Sequence, residues 1–214
     1  MTTLQWSALV LGLLDGVGLL LHSRLLQTGR IRAGMFCFYT NLSNLLLIVY
    51  QLLLFLACFR PGGALYGFLT DVRVSCSMAL CVWVTHLVYH FVLVPDAKRR
   101  GKKFADFGGN FGNICVHYAA PLLAVLQWLL LADKTGLSYA CALWWLLLPL
   151  LYTAFALLRA RGGRPIGHTG LVYPYPFMDL ARLGWRNFLL SCLGMLGLFF
   201  LLGCLLVFLG GLMG

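Results

Sequence analysis

Thr40, Ser43 and Asn44 are spaced i, i+3, i+4 and share one face of any helix that carries them. His86 and His90 stand four apart, as do Asn113 and His117. A hydroxyl facing an imidazole can form a nucleophile and general base pair, because the hydroxyl's own pKa is far above neutrality and histidine titrates in the useful range. In that arrangement Thr40 is the nucleophile and His117 the base. Asn41 or Asn44 would donate to a developing oxyanion, with Ser43 and Asn113 as further polar support. The competing reading is that these Thr and Asn side chains make interhelical hydrogen bonds and nothing more.

His86 and His90 converge on one face and could ligate a metal. They lack the glutamate of an HExxH pattern, and a third ligand would have to come from His117 or Asp15. Bis-histidine haem needs paired histidines on facing helices, which the chain supplies only once. We therefore expect His86 and His90 to line a cavity as a hydrogen-bonded pair, with no metal and no cofactor. Asp15 is the only acid inside an apolar run. A carboxylate there needs a partner; it could orient a histidine, carry a proton or make a structural pair with His86, Asn44 or Ser43.

These residues sit on six apolar runs: 5–21, 34–58, 74–94, 111–131, 138–158 and 188–213. A helical membrane crossing takes ~20 apolar residues, and backbone exposed to lipid must bond within its own segment. Barrel strands would alternate apolar and polar residues, whereas 45–56 and 199–209 are almost continuously apolar. The expected fold is all-α: a polytopic membrane protein with a six-helix bundle in one domain over 1–214. The first run lacks a basic leader and carries Asp15, so it reads as a retained helix and not a signal peptide.

Of 214 residues 61% are hydrophobic and only 10% charged, which excludes an ordinary soluble globule. The net charge of +10 does not mark a nucleic-acid binder, because the cations lie between apolar runs and not on one hydrophilic face. They fall into three connectors: Arg24, Arg30 and Arg32; Lys98, Arg99, Arg100, Lys102 and Lys103; Arg159, Arg161, Arg164, Arg182 and Arg186. The opposite side has Arg60, Arg73 and Lys134. The expectation is a multi-pass cell-membrane protein with the basic loops cytoplasmic and both termini outside.

With that orientation, a rise of about 1.5 Å per residue puts Thr40, His117 and Tyr152 each about 9 Å below the cytoplasmic surface. His90 and His86 come at about 6 and 12 Å. Ser43 and Asn44 form a deeper layer at roughly 13 to 15 Å.

The connector 159–187 contains Tyr173-Pro174-Tyr175-Pro176-Phe177-Met178-Asp179. Alternate prolines block a regular helix, and aromatic rings suit an interface. The segment therefore either lies against the membrane or folds back over the bundle mouth, or it is a rigid interfacial connector. The eight cysteines fall within the runs without a CxxC pair, so they read as small buried hydrophobes.

Three segments occur in order: Phe38-Tyr39-Thr40-Asn41-Leu42-Ser43-Asn44-Leu45; Asn113 to Pro121 followed by Gln127-Trp128; and Tyr173 to Asp179. Together they resemble the bacterial Pr-six-Pr integral membrane proteins, distant relatives of the animal androgen-induced and androgen-dependent TFPI-regulating proteins. The resemblance implies an intramembrane hydrolase, since the animal members cleave fatty acid esters of hydroxy fatty acids with a membrane threonine and a histidine. His117 matches that histidine. Thr40 stands four residues before Asn44 where the family's threonine stands three before, and Gln127 replaces an acid before the tryptophan.

The expected function is thus a threonine-type hydrolase of fatty-acyl esters within the membrane. Its partners would be membrane lipids and an acyl ester substrate, with Arg182 or Arg186 holding a carboxylate or head group. The alternative is a non-enzymatic lipid or small-molecule binding protein, or a proton-coupled carrier using Asp15 and His86.

Overall fold

A computed structural model describes residues 1–23, 25–30, 32–104, 110–167 and 169–213; of the basic-loop residues, Arg24 lies outside this set. The fold is all-α, with no strand among the described residues. Six helices are long and apolar enough to cross a membrane: α1 (Thr3–His22), α2 (Tyr39–Ala57), α3 (Val72–Arg99), α4 (Phe111–Leu131), α5 (Ala140–Ala160) and α6 (Leu180–Leu212).

Local chemistry sets their starts. Thr2, Asp71, Asn110 and Asp179 each turn a side-chain oxygen onto a backbone N–H of the first turn, capping α1, α3, α4 and α6. The second helix begins at Tyr39, later than its apolar run, because Ala33–Cys37 forms a 3-10 turn and Phe38 is extended. Phe38 offers no side-chain cap. The last helix begins earlier than expected, at Leu180, but breaks at Gly184, where φ 70° and ψ 164° suit glycine alone. At the far end of α4, Lys134 Nζ donates to the carbonyls of Trp128, Leu129 and Ala132 and lies over the Trp128 ring. It occupies the place where a cation is favoured by the helix C-terminus.

Two prolines shape the central pair. In α3 the turn Tyr89–Leu93 is widened to π geometry just before Pro95, and in α4 the turn Cys115–Ala119 is widened just before Pro121. Proline has no N–H and its ring collides with the carbonyl four residues back, so the preceding turn opens. In α4 the Ala120 N–H bonds to Cys115 O, five residues back, and Pro121 donates nothing. The carbonyls of Val116 and His117 therefore need other donors.

Small residues allow close helix approach. A Cβ added to Gly18 would run into the Cβ of Cys115, and one on Gly112 would come 2.6 Å from His22 N. These two glycines seat α1 on α4. Gly203 similarly seats α6 against Ala142 of α5, and Gly210 seats it against Trp128. The buried apolar side chains form one cluster among α1–α4 and another among α3–α6, with α3 and α4 contributing to both. All eight cysteines are free; Cys76, Cys81, Cys115 and Cys141 are buried within helices, while Cys37 lies in the 3-10 turn and Cys58 ends α2.

Candidate functional site

The proline-rich loop folds back over the end of the bundle. Tyr175 and Met178 are buried, and a 3-10 turn over Pro176–Met178 carries them inward. The Tyr175 hydroxyl accepts the Tyr39 backbone N–H at 3.1 Å, supplying from 136 residues away the N-terminal cap that Phe38 lacks. Thr40 and Tyr152 stand beside it on the wall of a cavity. Tyr152 O–H donates to Cys37 O at 2.9 Å, and the Tyr175 ring meets Phe38 edge-on and stacks on Phe177. Burial holds the Tyr175 phenol above its ordinary pKa, so it stays protonated.

Beneath this cap a cavity of about 90 Å³ opens between α3, α5 and α6. Its capped end is walled by Thr40, Tyr89, Tyr152 and Tyr175; its deep end, near Val84, Met195 and Phe199, is apolar. From Leu93 to Val84 the wall runs about 13 Å along α3. No described charged residue lines it. The cavity is thus built like a slot for hydrocarbon, ending in a set of hydroxyls.

His117 is not on the cavity wall. Its ring stacks on Tyr89, with centroids 3.6 Å apart and planes 15° from parallel, and Tyr89 is the residue that faces the cavity. His117 is buried, its Nδ1 has no hydrogen-bond partner, and the His22 ring meets it edge-on. Asn113 Nδ2 donates to the Tyr89 hydroxyl at 2.7 Å. Tyr89, which the sequence reading did not single out, therefore links His117, Asn113 and the cavity. Its signal in the sequence was indirect: it stands six residues before Pro95, in the turn that the proline opens.

The other expected site residues divide. Ser43 Oγ donates to Thr40 O or shares a proton with Thr85 Oγ1, at 3.0 and 2.8 Å, and Thr85 reaches the cavity. Asn44 Nδ2 donates to both Thr40 O, at 2.7 Å, and Val116 O, at 3.1 Å. Both of its N–H bonds are spent, so Asn44 cannot serve as the oxyanion donor first expected. Asn41 Nδ2 donates to Met35 O at 2.8 Å and holds the 3-10 turn onto α2. Its Oδ1 and that of Asn44 are buried without partners.

Of the four residues expected to line the cavity, only Tyr152 does. His86 turns Nδ1 onto His117 O at 2.9 Å, taking the carbonyl that Pro121 leaves unbonded. His90 is exposed and pairs Nδ1 with the Tyr118 hydroxyl at 3.2 Å. Asp15 is completely buried on the side of α1 facing α2 and α4, one turn from Gly12 and Gly18, and neither carboxylate oxygen has a partner. It does not line the cavity. Arg182 and Arg186 are exposed near the start of α6 and do not reach the wall. The break at Gly184 lies between them. No group of three His, Cys, Asp or Glu among the described residues is arranged to hold a metal ion.

Toward the end of the bundle opposite the proline-rich loop, a second polar group has formed that the sequence reading did not predict. Gln51 and Gln127 exchange hydrogen bonds at 2.6 and 3.2 Å, and Gln127 donates to Ser7 at 2.9 Å. Gln127 thus ties α1, α2 and α4 together. No family model, no curated protein and no solved structure matches this chain.

Proposed function

We propose that the protein is a membrane-embedded hydrolase of fatty-acyl esters, related to the Pr-six-Pr proteins, with Thr40 as nucleophile and His117 as base. The observation that carries this reading is a threonine hydroxyl on the wall of a largely apolar slot, at the end where Tyr89, Tyr152 and Tyr175 also gather. Supporting it, the adjacent helix carries a buried imidazole with an unpartnered Nδ1. The two widened turns coincide at this level, and such turns recur at functional sites.

In the reaction, Thr40 Oγ attacks the ester carbonyl carbon and its proton passes to His117. The tetrahedral oxyanion collapses and expels the alcohol, which takes that proton. Water, deprotonated by His117, then attacks the acyl-threonine; the C–O bond to Thr40 breaks, the fatty acid leaves, and Thr40 Oγ takes the proton back from His117. The lipid enters sideways between α5 and α6, and the basic loops face the cytoplasm with both termini outside.

The ring of Tyr89 between His117 and the cavity favours a second reading, in which the slot binds an acyl lipid without cleaving it. A fluorophosphonate probe and a fatty-acyl ester assay on the purified protein separate the two. The hydrolase requires labelling and turnover that vanish together in Thr40→Val with the fold retained. Lipid binding with neither labelling nor turnover in the natural protein leaves the binding reading standing.

A further inference from the structure

We propose that the cavity selects an uncharged acyl ester over a lipid with an ionised head, and that the Tyr89 hydroxyl donates a hydrogen bond to its carbonyl oxygen. The inference rests on the reading that this slot takes an acyl chain, and it names which class. Every polar group on the wall is uncharged, and Arg182 and Arg186 stand outside. A carboxylate or phosphate drawn into the slot would lose its water without meeting a counter-charge, which disfavours its entry. An ester asks only for a donor to its carbonyl.

The hydroxyl inventory picks out Tyr89. Tyr152 spends its proton on Cys37 O and Thr153 on Pro149 O, while Tyr39 is paired with Cys81. Tyr89, like Tyr175, has an oxygen that accepts, from Asn113 Nδ2 and the Tyr39 N–H respectively; Tyr175 lies in the loop that caps α2, whereas Tyr89 stands on a spanning helix, and its proton is directed at no described acceptor. A phenol that accepts such a bond is a stronger donor in return. The stack on His117 fixes the ring from behind, and burial in a proline-opened turn keeps it from swinging into lipid. A carbonyl oxygen held there lies at the same end of the slot as Thr40.

The test uses full-length protein in nanodiscs and two diazirine-bearing probes of equal chain length, a methyl ketone and a free fatty acid ionised at pH 8. The ketone has the carbonyl but cannot be hydrolysed. We expect the ketone to crosslink about tenfold more than the acid. Tyr89→Phe should lower ketone crosslinking about 3- to 10-fold, as for one lost hydrogen bond, with acid crosslinking unchanged and the fold retained. Equal crosslinking of the two probes by the natural protein overturns the proposal, and so does undiminished ketone crosslinking in a folded Tyr89→Phe. The first comparison needs no variant. Because crosslinking needs no turnover, selectivity without hydrolysis removes only the proposed chemistry, and hydrolysis without selectivity removes only this inference.

Discussion

The ring of Tyr89 lies flat on that of His117, 3.6 Å away, so the imidazole proposed as base is also a packing partner of the residue that walls the cavity. The two roles separate by substitution. His117→Ala removes a buried ring and should cost about 3 kcal/mol of stability together with all activity. His117→Phe keeps a ring under Tyr89 and should retain most of that stability, while ester turnover falls 10²- to 10⁴-fold. Thermal unfolding and turnover measured on both variants check this. Full turnover in His117→Phe would remove His117 from the chemistry.

Pro121 explains why His86 and Asn44 point where they do. Both donate to carbonyls of the widened turn, His117 O and Val116 O. Replacing Pro121 by Ala supplies the missing N–H and lets the turn close toward α geometry. His86→Ala should then cost about 1 to 2 kcal/mol in the natural background and markedly less beside Pro121→Ala. A double-mutant cycle by chemical denaturation measures the difference; additive effects would mean that the bond to His117 O carries no stability.

The contact between Gly18 and Cys115 tests how α1 is held. Any β-carbon at position 18 meets that of Cys115, so Gly18→Ala should lower stability by about 1 to 3 kcal/mol through overpacking. Adding Cys115→Gly empties the clashing position and should restore much of the loss. The readout is the thermal midpoint of the single and double variants in one detergent.

Asp71 caps α3 and pairs with Arg73 through Oδ1 and Oδ2, at 3.0 and 2.8 Å. The Arg73 hydrogen bond, together with the Arg73 N–H, pulls its carboxyl down to about 2. A depressed carboxylate contributes stability that is complete above its unfolded value near 4 and disappears as pH falls through about 2. The natural protein should therefore outlast Asp71→Ala by about 1 kcal/mol at pH 7, with the gap narrowing between pH 4 and pH 2. An unchanged gap over that window would assign the cap to shape alone.

The six crossings were legible because ~20 successive apolar residues are forced into helix by the lipid around them. The polar level was legible too: Thr40, Ser43 and Asn44 share a face by spacing, and all three are buried. Less could be read about what each would bond. Asn44 was free on paper to hold an oxyanion, yet both its N–H bonds go to carbonyls, one of them exposed by a proline on another helix. The positions of Pro95 and Pro121 were visible in the sequence, but the side chains that answer them come from different helices.

The sequence by itself determined the all-α class and the six helices long and apolar enough to cross a membrane. Tertiary structure alone decided that Tyr175 caps a helix begun 136 residues earlier, that Tyr89 stands over His117, and that the cavity lies between α3, α5 and α6 while Asp15 faces elsewhere. The reason is the solvent. In water an apolar stripe tells a helix which side to bury, but in lipid nearly every side is apolar, and the rotation of each helix is left to glycine contacts and a few hydrogen bonds between helices.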